Sequence, residues 1–130
     1  MLMLQAVREI EKRAGRPVHE IFDLVGGTST GGFLAACLIL KRYPLERVEK
    51  MYHRIRSQFH QTTLYSAYRT ATTGASHDAD ELDRVMRDMF GDVRLEETAT
   101  SPKCFFMTAA VNSFPAQPFL LRNYELTPEA

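Results

Sequence analysis

Apolar positions in the first fourteen residues keep helical time. Met3, Val7, Ile10 and Ala14 share one face with charges between them, which predicts a helix over 3–14. Gly15 and Pro17 stop it. Ile21-Phe22-Asp23-Leu24-Val25 is short, apolar and closes on glycines, so it predicts a strand. Phe33 to Leu40 is apolar on nearly every side, which predicts a buried helix beginning near Thr30. Pro44 suits the first turn of the next helix. There Leu45, Val48, Tyr52, Ile55 and Phe59 form the apolar stripe, and Glu46 and Lys50 form an i, i+4 pair on the outer face.

Periodicity is lost over residues 60–77, where Gln, Thr, Ser and Gly accumulate; this predicts a long surface connection of the kind that serves as a lid or binding loop. Asp78-x-x-Glu81 resembles a capping box. Leu82, Val85, Met86, Met89 and Phe90 follow as an apolar stripe, and Gly91 stands where a C-terminal cap belongs. Cys104 to Val111 and Phe119 to Tyr124 have strand length. The order helix, strand, three helices, two strands predicts an α/β domain with its sheet between helical layers. There is no internal repeat and no low-complexity segment.

Length and composition narrow the function classes. At 130 residues and 14.8 kDa, the chain suits one domain. Sixteen basic and sixteen acidic side chains leave no net charge, which argues against a nucleic-acid partner. The balance is uneven: residues 1–65 hold 10 basic and 6 acidic side chains, and residues 66–130 hold the reverse. Cys37 and Cys104 each lie in an apolar run and match no disulfide framework or zinc spacing, so a reducing, intracellular setting is expected. The first residues lack the order of a signal peptide. The longest uncharged run, Leu24 to Leu40, is 17 residues with a glycine-rich first half, a poor fit to a membrane span.

The sharpest chemical signal is Val25-Gly26-Gly27-Thr28-Ser29-Thr30-Gly31-Gly32. Gly27-x-Ser29-x-Gly31 is a G-x-S-x-G motif between a predicted strand and a predicted helix, the setting of a nucleophile elbow. A serine on so tight a turn needs neighbours without side chains, and Gly27 and Gly31 supply that clearance. The helix behind it aims free amides, Thr30 first among them, at charge developing on an attacked carbonyl oxygen. Two rival uses fit less well. A P-loop needs Lys after its last glycine, and here Gly32 and Phe33 follow Gly31. A membrane helix-dimerisation face would need a longer apolar span.

The base is the difficulty. After Ser29 come His53, His60 and His77, with no aspartate between Ser29 and His77 and only Glu46 and Glu49 as acids there. Both glutamates share a predicted helix with His53, so an ordinary Ser-Asp-His order does not assemble, and the histidines read as surface residues.

Pro17 to Gly32 resembles the nucleophile segment of the patatin-like phospholipases, the calcium-independent phospholipase A2 gamma type in particular. Tyr43-Pro44-Leu45, Met51-Tyr52, Asp78, Met89-Phe90-Gly91, Lys103-Cys104-Phe105 and Leu121-Arg122-Asn123-Tyr124 extend the resemblance over the whole chain. It implies a three-layer α/β/α fold and a lipid acyl-ester hydrolase working through a Ser-Asp dyad, without cofactor or metal. Ser29 would be the nucleophile and Gly27, Thr28, Ser29, Thr30 and Gly31 the elbow. The implied partner is a phospholipid or other fatty-acyl ester, met at a membrane periphery.

Two family features are not found. The glycine-rich oxyanion loop that precedes the first helix is missing, and no aspartate in the chain is followed by glycine, so the family's catalytic Asp-Gly motif is missing too. The expectation is therefore a patatin-like domain truncated at both ends, with little activity of its own. The competing expectation is a non-catalytic module that binds lipid or a partner. Lys41, Arg42, Arg47, Lys50, Arg54 and Arg56 cluster in one stretch. They read first as the solvated face of a helix, and second as a surface attractive to anionic headgroups.

Overall fold

The computed structural model describes residues 2–57, 77–98, 101–110 and 114–126, with the backbone alone described for 77–82. It divides into two compact units, residues 1–48 with 94–130, and residues 49–93.

In the first unit, helix α1 (Leu2–Ala14) ends at Gly15, whose φ of 68° suits a residue without Cβ and whose N–H bonds the Glu11 carbonyl at 2.8 Å. The expected strand over 21–25 is displaced. Val18–Glu20 form a 3₁₀ turn after Pro17, Ile21 is still in the right-handed region, and strand β1 covers Leu24–Gly27. The cause is local. The Glu11 carboxylate accepts the Val18 N–H at 2.8 Å, and the Ile21 and Phe22 amides bond the Val18 carbonyl, which winds the chain where apolar content alone suggested extension.

Helix α2 starts at Thr30, as expected, and runs to Leu40, with its last turn, Ala36–Leu40, widened to a π-helix. It carries much of the core: Leu34, Ala35, Cys37, Leu38 and Ile39 are buried. Arg42 turns the chain at φ 51° and its Nη2 donates to the Ser101 carbonyl at 3.1 Å. Helix α3 covers residues 45–57. Pro44 stands just before it, and its carbonyl takes the Arg47 and Val48 amides. Leu45 and Val48 are buried.

Strands β2 (Lys103–Ala110) and β3 (Gln117–Arg122) complete a mixed sheet of order β1-β2-β3. β1 pairs with β2 in parallel, Gly26 opposite Phe105 and Gly27 opposite Phe106; β2 pairs with β3 antiparallel, Met107 opposite Leu120. Buried Asn123 locks the end of β3 to the start of β2: its Oδ1 accepts the Cys104 N–H at 2.6 Å, and its own N–H donates to the Cys104 carbonyl at 3.1 Å. Val25, Gly27, Cys104 and Phe106 share the face that α2 covers. On the other face, Leu24, Met107 and Leu120 are exposed.

In the second unit, helix α4 (His77–Phe90) begins one residue before Asp78, so Asp78 sits inside the first turn and not at the cap. Val85 and Met89 are buried on it. Gly91 ends it as expected, at φ 67° with its N–H on the Arg87 carbonyl at 2.7 Å. Arg87 bridges Asp83 at 2.8 Å and Asp92 at 3.6 Å across this last turn. The surface connection expected over 60–77 lies outside the described residues, except His77. No helix among the described residues is long and apolar enough to cross a membrane.

Candidate active site

The site is built from one strand end and one helix start. β1 stops at Gly27 and α2 starts at Thr30, so only Thr28 and Ser29 make the turn. The turn is closed by the helix itself: the Gly31 and Gly32 amides bond the Thr28 carbonyl at 2.9 and 3.3 Å, and the Phe33 amide bonds the Ser29 carbonyl at 3.1 Å. Ser29 pays with its backbone, at φ 51° and ψ −124°. For a residue with a Cβ this is a strained conformation, of the sort that collects at functional sites and costs about 1–3 kcal/mol.

The glycines around it do different work. A Cβ at Gly27 would collide with the Gly31 carbonyl group and the Gly32 amide, so β1 and α2 approach backbone to backbone. Only glycine permits that. Gly32 is buried, and a Cβ there would stand at ordinary contact distance from the Phe106 ring and the Gly27 carbonyl. Gly31 departs from the steric expectation: nothing lies within 4 Å of where its Cβ would stand, so its small size is not required by the fold of the described residues. Gly26, outside the motif, is required, because a Cβ there would enter the Phe105 ring.

Thr28, Ser29 and Thr30 are exposed. Neither the Ser29 hydroxyl nor the Thr30 N–H makes a hydrogen bond among the described residues. A free hydroxyl therefore stands beside the first free amide of an eleven-residue helical segment, Thr30 to Leu40. Beside them an apolar cavity of about 660 Å³ runs between α1, β1 and α2, bordered by Val7, Ile10, Gly27, Thr28, Gly31 and Leu34. Of the α1 stripe expected from the sequence, Met3, Val7 and Ile10 face this space, and the buried anchor of α1 is Leu4.

No carboxylate or imidazole is hydrogen-bonded to Ser29 among the described residues. His19 lies in the 3₁₀ turn near Glu20, Asp23 precedes β1 at the end opposite Ser29, and His53 is on α3. The side chains of His60, His77 and Asp78 lie outside the described residues. No group of three His, Cys, Asp or Glu among the described residues is arranged to hold a metal ion.

Cys37 and Cys104 are free and fully buried. Burial pushes the Cys37 thiol up to about 12, against a small lowering by Arg47, and the Cys104 thiol up to about 11. They are inert core residues. Of the basic residues in 41–56, Arg42 is engaged with Ser101 and Arg47 lies over the Tyr43 ring at 3.8 Å.

Comparison with known proteins places the segment. The patatin-like phospholipase family model matches residues 2–130. The chain is similar to phospholipase A I of Arabidopsis thaliana, 35% identical over 97% of this chain and 12% of that protein. It is similar to the human calcium-independent phospholipase A2-gamma, 30% identical over 95% of this chain and 16% of that protein. It is also similar to the rat 85/88 kDa calcium-independent phospholipase A2, 26% identical over 100% of this chain and 14% of that protein. The chain thus spans between 12% and 16% of these relatives' length. No solved structure matches it.

Proposed function

The chain belongs to the patatin-like phospholipase family, and on that premise we propose that it carries the nucleophile of a calcium-independent lipid acyl hydrolase. The observation that supports this most is the strained, exposed Ser29 at the start of α2 with its hydroxyl unengaged.

Ser29 Oγ attacks the carbonyl carbon of a fatty-acyl ester. The Thr30 N–H, at the positive end of α2, donates to the oxyanion that forms. Collapse expels the alcohol, here a lysophospholipid, and leaves the acyl group on Ser29; water then releases the fatty acid. An aspartate, the base that the family resemblance implies, takes the Ser29 proton and returns it to the departing alcohol. The substrate is a phospholipid met at a membrane surface, and no metal takes part.

The apolar cavity beside Ser29 supports a second reading for these 130 residues, a lipid-binding segment without turnover. A missing base lowers the rate by about 10²–10⁴-fold. Hydrolysis of a short-chain chromogenic ester separates the two. A domain extended on both sides should turn it over, insensitive to calcium chelation, and the 130-residue chain should fall at least about 10²-fold below it. Equal rates would mean that a base lies within this chain, and loss of turnover on chelation would end the metal-free mechanism.

A further inference from the structure

The torsion of Ser29 persists only if its surroundings hold it. Three contacts surround the elbow. Gly27 lies against the backbone of Gly31 and Gly32, and a Cβ at Gly32 would stand at ordinary contact distance from the Phe106 ring, both on the face that α2 covers. The third is on the opposite face and outside the G-x-S-x-G motif: the Phe105 ring occupies the room a side chain at position 26 would need. Gly26 and Phe105 are direct partners across the parallel β1–β2 pair, so the ring edge stands in the side-chain direction of Gly26, three residues before Ser29, while Gly26 itself stays exposed. An aromatic ring laid over a cross-strand glycine replaces the packing that glycine lacks.

We propose that Phe105 is a positioning residue for Ser29, its ring clamping β1 at Gly26 so that the chain must turn sharply into α2. This rests on the reading of Ser29 as the nucleophile, and it assigns Gly26 a role the motif does not contain. Without the clamp, the end of β1 rises, the turn relaxes toward ordinary torsions, and the side chain at 29 drifts from the helix terminus.

A thiol at position 29 reports this without requiring turnover. In Ser29→Cys, Cys37 and Cys104 stay silent because both are fully buried and their thiols are pushed up to about 12 and about 11. Alkylation of the native protein by iodoacetamide, followed against pH, then gives the titration of position 29 alone. A thiol held at a helix N-terminus titrates below the free value of about 8.5. Adding Gly26→Ala or Phe105→Ala should return it toward that value and slow alkylation at neutral pH roughly five- to tenfold. Combining Gly26→Ala with Phe105→Leu, which trades volume between the partners, should recover most of the rate. Met89→Ala, a core deletion in the other unit, should leave the titration unmoved. If Phe105→Ala does not fold, Phe105→Leu alone should give a smaller shift in the same direction. Unchanged titration in folded Gly26→Ala and Phe105 variants, or no recovery in the double variant, overturns the clamp. A thiol at 29 that titrates as a free one in the parent overturns the elbow itself.

Discussion

The two outer strands of the sheet are both apolar and both short, yet one is packed tightly at its two closing glycines and the other stands bare. In β1, Gly27 meets the backbone of α2, Gly26 meets the Phe105 ring, and the turn that follows is closed by amides of Gly31, Gly32 and Phe33. In β3, Phe119, Leu120 and Leu121 are 53%, 39% and 45% exposed, so neither face is covered. The contrast teaches where tolerance lies. Substitution at Gly27 meets backbone, which cannot give way, and substitution along β3 meets solvent.

The largest effect is therefore expected at Gly27. Gly27→Ala forces a Cβ into the first turn of α2, and urea unfolding should show a loss of about 3 kcal/mol or more, or no cooperative transition at all. A cost below about 1 kcal/mol would mean that β1 and α2 can separate freely.

Next comes the link between the strands. Asn123→Ala strips the buried Cys104 N–H of its acceptor, and chemical denaturation should show a loss of about 1–3 kcal/mol. No loss would show that the Asn123 side chain does not hold the start of β2.

A smaller effect is set by pH. Both thiols ionise less readily in the folded chain than their ordinary value of 9.0, to about 12 and about 11. The folded state therefore retains protons that the unfolded state releases. The stabilising contribution is complete below pH 9 and is lost as pH rises through about 11 and 12. Thermal midpoints should fall from pH 9 upward, and less steeply in Cys104→Ala. An unchanged slope would contradict the burial of that thiol.

The smallest effect belongs to β3. Leu121→Lys should change stability by no more than about 0.5 kcal/mol and should reduce association of the chain at high concentration, read by light scattering. A loss near that of Gly27→Ala would erase the contrast.

Much of this site was readable in the sequence because its signals are local. Gly27-x-Ser29-x-Gly31 between an apolar run and a buried helix marks the turn, and Gly91 marks the end of α4, because each answers to backbone geometry within a few residues. The start of β1 was misplaced because the Glu11 carboxylate, seven residues away, draws the Val18 amide into a 3₁₀ turn. Gly26 carries no local signal, because its reason for being glycine is Phe105, a partner 79 positions along the chain. The motif's spacing suggests a steric duty for Gly31 that the packing of the described residues does not impose. A glycine next to an aromatic-bearing strand in parallel register is the signal that would have found the clamp, and it needs the register first.

The central claim is that Ser29 is the nucleophile, and covalent trapping tests it most directly. A fluorophosphonate carrying a long alkyl chain reacts with an activated serine by phosphonylation, and peptide mass spectrometry locates the adduct. In a catalytically active domain that contains this segment, the account predicts a single adduct on Ser29 and none in Ser29→Ala. An adduct on another residue, or equal labelling of the alanine variant, would contradict it.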